Sequence, residues 1–212
     1  MDAATYTANI NSIYRKTDCD VSKWMKNWPV RTVVEKEWHC PPTYFNFNMD
    51  NHHIRSQFVK KYSFAIPSQE ALQLISRYSP ILEVGAGSGL WSKLLMDMDC
   101  DVIATDIDSA KDPNHFKKKF CKINSMSAWA AVKRYGSRNI FISWPSYGAE
   151  WALKMLREVR DQYVIYIGEG ECCATDGFFE LLGKEFFHIE SMAIPQFDGV
   201  YDYLKVWRKK SA

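Results

Sequence analysis

Between residues 80 and 106 an apolar run, three glycines, an amphipathic stretch, a second apolar run and an acid follow one another: PILEV, GAGSG, LWSKLLMD, DVIATD. Pro80–Val84 is short, apolar and bounded by a glycine turn, which predicts a fully buried strand. Gly85, Gly87 and Gly89 end it where the chain must turn sharply, and glycine adopts turn conformations that a Cβ resists. Residues 88–97 (SGLWSKLLMD) predict a helix with Ser88 as its N-cap. Asp101–Thr105 (DVIAT) predicts a second strand. Strand, turn, helix and strand make a βαβ unit, whose strands run parallel and whose sheet must be covered on both faces. This stretch therefore commits the chain to a layered α/β architecture.

The alternation continues downstream. A strand is predicted near Lys119–Ile123, then a helix over Ser125–Tyr135 with Ser125 as cap and Gly136 as stop. Asn139–Ser143 is a strand, Glu150–Arg160 a helix, Tyr163–Ile167 a strand, and a helix lies near Asp176–Gly183. Two longer strands, near Phe186–Ala193 and Tyr201–Trp207, end the chain. Their connection, with Pro195 and Gly199, is far shorter than the dozen or so residues of a parallel crossover, so the last strand is predicted antiparallel. The 212 residues suffice for one sizeable core. Residues 1–78, rich in Trp, His, Asn and Pro with weak periodicity, are expected to form an N-terminal extension, a lid and a candidate acceptor-binding segment. Residues 79–212 form the core.

The formal net charge of +2 gives the whole molecule no strong field for polyanions. Lysines at 60–61, 117–119 and 209–210 read as solvated surface. Cysteines 19, 40, 100, 121, 172 and 173 contain no CxxC pair, which points to neither a zinc site nor a disulfide framework and fits a reducing compartment. His39, His52 and His53 share no recognisable ligand spacing with other donors, although Cys40 adjoins His39, and no metal is expected. The first residues lack the plan of a signal peptide and no apolar run approaches a membrane span, so a cytoplasmic location without a membrane partner is expected.

The glycine spacing is G-x-G-x-G. A dinucleotide fingerprint needs its third glycine at position 90, where Leu90 stands. A pyrophosphate calls for bare amides at a helix N-terminus, so a nicotinamide oxidoreductase is disfavoured. With Glu83 inside the first strand and Asp106 at the end of the second, the segment resembles motif I of class I S-adenosylmethionine-dependent methyltransferases, E/D-x-G-x-G-x-G. The resemblance spans roughly residues 79–208. It implies a doubly wound, mostly parallel seven-stranded sheet in the order 3-2-1-4-5-7-6, with the last strand antiparallel, and S-adenosyl-L-methionine as cofactor. It implies that Glu83 holds the donor's positively charged methionine end, often through water, while Gly85, Gly87 and Gly89 let the backbone approach it closely. Asp106 would accept bonds from both ribose hydroxyls, with Asp108 as the nearby fallback. Asn124 is the candidate for the adenine amino group, and Met126 for flanking the adenine ring.

Ligands of open α/β sheets bind outside the carboxyl ends of the strands. There, Ser143-Trp144-Pro145-Ser146-Tyr147 resembles a degenerate form of the D/N/S-P-P-Y/F motif of amino-methylating nucleic-acid enzymes. If Ser143 is its first position, Ser146 replaces the aromatic. If Trp144 is first, Tyr147 fits, but an indole cannot accept an amine's hydrogen bond. Trp144, Tyr147 and Glu169, the last at the end of the fifth strand, are the candidate catalytic side chains. Ser143, Pro145, Ser146 and the hairpin residues Gln196, Phe197 and Asp198 are candidate acceptor contacts, and Tyr62–Pro67 a candidate lid over the donor. The expected function is S-adenosylmethionine-dependent methyl transfer to a small molecule or protein. A nucleic-acid amino-methyltransferase, disfavoured by the near-neutral charge, and a donor-binding scaffold without catalysis stay open.

Overall fold

A computed structural model describes residues 30–31, 55–56, 58–107, 116, 118–170, 172–197 and 200–210. Its nine strands are β1 (Val30–Arg31), β2 (Ile81–Val84), β3 (Val102–Asp106), β4 (Ile123–Ser125), β5 (Asn139–Ser143), β6 (Tyr163–Gly168), β7 (Phe186–Ala193), β8 (Gln196–Phe197) and β9 (Tyr203–Lys209). Helices among the described residues include α1 (Gln69–Ser76), α2 (Leu90–Met96), α3 (Ala128–Arg134), α4 (Glu150–Glu158) and α5 (Asp176–Glu185).

Seven strands form one sheet in the order β4-β3-β2-β5-β6-β9-β7. Counted from β2, this is 3-2-1-4-5-7-6. The first five strands run parallel, and β9 lies antiparallel between β6 and β7. Alternation along each strand separates the sheet's two faces. Ile81 of β2 and Ile165 and Ile167 of β6 pack with Leu72, Ile75, Leu90 and Leu94 of α1 and α2. Leu82, Val84, Val164 and Tyr166 pack with Ala131, Leu156 and Phe178 of α3, α4 and α5. Central β2 is buried along its length, Glu83 included. Phe58, Tyr62 and Ile66 belong to the same core cluster as Ile81, so packing runs continuously across residue 79.

Several predicted boundaries move. Glycine, not serine, is the N-cap of α2: Gly89 adopts φ 74°, while the Ser88 hydroxyl donates to the Tyr62 carbonyl. The third parallel strand begins at Ile123 rather than near Lys119, because the Phe120 amide is engaged by the Ser88 carbonyl at 2.8 Å. α3 starts at Ala128 with Ser127 as N-cap, since Ser125 still belongs to β4. α5 runs to Glu185, past Gly183, from a Thr175 cap whose side chain accepts the Phe178 amide. The connection between the last long strands contains β8, which pairs with β1, a contact between distant segments that local periodicity does not register.

Candidate functional site

The ends of β2, β3 and β5, with the loop before α1, surround a cavity of about 260 Å³. Its floor is the turn between β2 and α2. Gly85, Gly87 and Gly89 take φ of 67°, 57° and 74°, the left-handed region that L side chains avoid. Space is also tight at two of them: a Cβ on Gly87 would lie 2.8 Å from the Phe116 ring, and one on Gly89 2.8 Å from the Cys121 sulfur, so those neighbours would have to move. The turn therefore offers bare backbone at Gly85 and Gly87, which line the cavity with Ala86 and Ser88, while Gly89 does not.

Glu83 faces this turn from inside the sheet and also lines the cavity. Its Oε2 accepts the Ser92 amide at 3.1 Å and the Ser92 hydroxyl, both from the first turn of α2. The residue is 2 % exposed. Burial pushes its carboxyl up to about 8, the Ser92 bonds only partly opposing that, and nearby Asp106 adds to the rise. A buried acid so destabilised in its charged form suits a cation.

Asp106 ends β3 opposite. Its Oδ2 accepts the Gly87 amide at 2.6 Å, fixing the carboxylate against the glycine turn, and it lines the cavity with Met126. The Met126 amide in turn donates to the Asp106 carbonyl at 3.0 Å. Asn124 does not line the cavity. It sits within β4 opposite Thr105, short of the strand's carboxyl end. Asp108 lies outside the described residues.

The residues expected to contact an acceptor are placed in different surroundings. Ser143, Trp144 and Ser146 line the cavity, and Pro145 and Tyr147 do not. The Pro145 carbonyl accepts the Ala174 amide at 3.0 Å, binding this loop to the one after β6. Tyr147 is 78 % exposed. Glu169 also stands outside the lining: past Gly168 its carboxylate folds back to accept the Tyr201 amide. Phe197 is core, its ring 5.5 Å from that of Phe58. Gln196 contributes backbone to β8, and Asp198 lies outside the described residues.

Sequence reading passed over three side chains that shape the cavity: Trp91, Phe116 and Trp151. Trp151, in the first turn of α4, lies beneath Gly85, 3.1 Å from where a Cβ would stand. Only its place in a helix that follows strand four hinted at it. Ser63 and Phe64, from the candidate lid, also line the cavity. Phe64 stacks on Trp144 with ring centroids 5.7 Å apart and planes at 19°. Trp144 itself has φ 50°, uncommon for a bulky residue.

Among the described residues no cluster of His, Cys, Asp and Glu could hold a metal ion, and no helix is long and apolar enough to cross a membrane.

No family model and no curated protein matches the chain. Among solved structures, it is similar to a candidate O-methyltransferase of Klebsiella pneumoniae, with 12% identity over 77% of this chain and 87% of that one and a TM-score of 0.46. It is also similar to a candidate tRNA methyltransferase of Streptococcus pneumoniae in complex with S-adenosyl-L-methionine, with 16% identity over 68% and 74% and a TM-score of 0.46. A third is the N-methyltransferase NodS of Bradyrhizobium japonicum, with 11% identity over 68% and 96% and a TM-score of 0.42.

Proposed function

We propose that the chain is an S-adenosylmethionine-dependent methyltransferase whose acceptor, a small molecule or a protein segment, enters beside Ser143, Trp144 and Ser146. One observation carries the reading. A buried acid, a glycine-rich turn and a second acid, Glu83, Gly85 to Ser88 and Asp106, converge on a single cavity at the carboxyl ends of parallel strands. The donor's parts fit what is there. Its ammonium supplies the positive charge that Glu83 lacks. Its extended methionine portion needs the close backbone approach that Gly87 permits. Its ribose hydroxyls meet a carboxylate at Asp106, and its adenine meets an apolar surface at Met126.

When bound, the donor supplies an electrophilic methyl group on a sulfonium. The protein's own work is orientation and exclusion of water. Glu83 and Asp106 fix the two ends of the donor. The Ser143 to Ser146 loop and Phe64 define where an acceptor can approach, and the rings of Phe64, Trp144 and Trp151 keep that space apolar. Alignment of this kind can supply up to roughly 7–11 kcal/mol of the barrier reduction in favourable cases. Stacking on a cationic sulfonium adds no acceleration by itself, because the charge fades toward the transition state.

Calorimetry with S-adenosylmethionine and S-adenosylhomocysteine tests the reading. Dissociation constants in the low-to-middle micromolar range, on the order of −7 to −8 kcal/mol, are expected. No heat and no thermal shift with either ligand, together with a response to NAD, would overturn it. Methyl transfer from labelled donor into fractionated extract, with RNA, protein and metabolites counted separately, then identifies the acceptor.

A further inference from the structure

Asp202 immediately precedes β9 and is 1 % exposed. It is absent from the cavity lining, yet its Oδ1 accepts the indole N–H of Trp144, which does line the cavity, at 2.7 Å. Its Oδ2 is buried with no hydrogen-bond partner among the described residues. A carboxyl buried with half its bonding capacity unused costs free energy. The side chain it holds is also costly, because Trp144 keeps a left-handed backbone. Two unfavourable features thus meet in one contact, and the far end of that contact is the cavity wall.

The contact continues outward. The Trp144 ring stacks on Phe64, and the Arg55 guanidinium carbon stands 5.0 Å from its centroid. A path therefore runs from the start of β9, through Trp144, to the segment containing Arg55 and Phe64. The same segment also reaches the glycine turn, where the Ser88 hydroxyl donates to the Tyr62 carbonyl.

We propose that Asp202 is a positioning residue for methyl transfer, fixing the Trp144 ring on the acceptor side and seating the Phe64 segment over the cavity. The proposal rests on the methyl-transfer reading given above. The charged and titratable groups facing Asp202 are Glu169, Arg55, Tyr166 and Cys173. Burial pushes its carboxyl up to about 8, against the Trp144 bond, with Glu169 adding to the rise and Arg55 opposing it. Near neutral pH the side chain is chiefly the neutral acid, which asparagine imitates in shape and in its accepting oxygen.

The test uses the full chain, tritiated S-adenosylmethionine and total cell extract as acceptor source. Asp202→Asn should keep incorporation within about threefold of the native chain, whereas Asp202→Ala should lower it about tenfold with S-adenosylhomocysteine affinity changed less than about twofold. In a Trp144→Phe background, Asp202→Ala should remove nothing further, because the two residues act as one unit. Additive losses, or a parallel loss of S-adenosylhomocysteine affinity, would overturn the positioning role. A second measurement needs neither turnover nor the alanine variant. The Trp144 indole N–H resonance, assigned by its loss in Trp144→Phe, should move with pH in the native chain, stay fixed in Asp202→Asn, and shift when S-adenosylhomocysteine binds. Failure of the extract to take label from the native chain would count against methyl transfer. An indole resonance indifferent to Asp202→Asn or to S-adenosylhomocysteine would count against the role of Asp202.

Discussion

At the scale of single residues, the two acids that line the cavity, Glu83 and Asp106, differ in how they are held. Asp106 sits half-buried at a strand end with its Oδ2 on the Gly87 amide. Under the proposed function, removing it takes away both that anchor and the acceptor for two ribose hydroxyls. Hydrogen bonds to a charged group are worth about 1.5–3 kcal/mol each, so Asp106→Ala should weaken S-adenosylhomocysteine binding about 10- to 100-fold while leaving the protein folded. Titration calorimetry on the variant checks this. Glu83 is fully enclosed and, with its carboxyl pushed up to about 8, is mostly protonated at pH 7 in the free protein. An ammonium placed beside it favours the carboxylate and lowers that value, so ligand binding at pH 7 should release protons from Glu83. Binding heats measured in phosphate and in Tris should differ in the sense of proton release to the buffer, and Glu83→Gln should abolish that difference. Both acids were legible in the sequence from their places relative to the glycines. Their opposite environments were not, because burial is a property of the assembled sheet. Asp202 carried no sequence signal: its partner Trp144 is 58 positions away, and an acid before a strand reads as a solvated loop residue.

At the scale of elements, turns divide into those constrained by backbone alone and those constrained by space as well. Gly148 has φ 69° and nothing within 4 Å of where a Cβ would stand, while Gly87 has φ 57° and the Phe116 ring 2.8 Å from that point. Gly148→Ala should therefore cost only the left-handed penalty, about 1–2 kcal/mol. Gly87→Ala should cost that and also displace Phe116, reducing S-adenosylhomocysteine affinity as well as stability. Parallel denaturation and binding curves for the two variants separate the cases, and equal effects on binding would show that the Gly87 turn is not a donor contact. The elements themselves were largely readable: buried β2, the amphipathic α2 and the alternation after it follow from hydrophobic period and glycine punctuation. The loops after β5 and β6 were not. Topology correctly says that the ends of β5 and β6 share a mouth, but a side chain beyond a strand end points where its own local bonds send it. Glu169 turns to the Tyr201 amide and Tyr147 out to solvent. Glu169→Gln retains an oxygen for that amide, and Tyr147→Ala removes an exposed ring, so each should leave stability within about 0.5 kcal/mol. Each should also leave label incorporation near the native level; a large loss in either would place that side chain in the acceptor site after all.

At the scale of the whole molecule, the fold buries two carboxyls, Glu83 in a parallel strand and Asp202 before the antiparallel β9, in a chain of net charge +2, and pH governs how well it tolerates them. Glu83 and Asp202 both have their acid forms favoured by burial, each pushed up to about 8 from ordinary values of 4.5 and 3.8. Between those limits the folded protein holds more protons than the unfolded chain, and stability falls with pH wherever the native state binds more protons. Below about pH 4 neither group imposes a charge-burial penalty. As pH rises from about 5 to 8 the unfolded chain ionises freely while the folded one resists, and the penalty grows until both groups are charged in both states. The thermal midpoint of the ligand-free protein should therefore decline across this window, each kcal/mol appearing as about 2–4 °C for a domain of this size. Asp202→Asn should remove the Asp202 share and flatten the decline at every pH in the window. Saturating S-adenosylhomocysteine should flatten it by a different route, because an ammonium beside Glu83 brings that carboxyl back toward its ordinary range. Scanning calorimetry of the native chain, Asp202→Asn, and the native chain with ligand, from about pH 5 to 9, distinguishes these contributions. A midpoint that rises with pH through the window in the ligand-free native chain would mean that both acids are ionised in the fold and that cations, rather than burial, set their state.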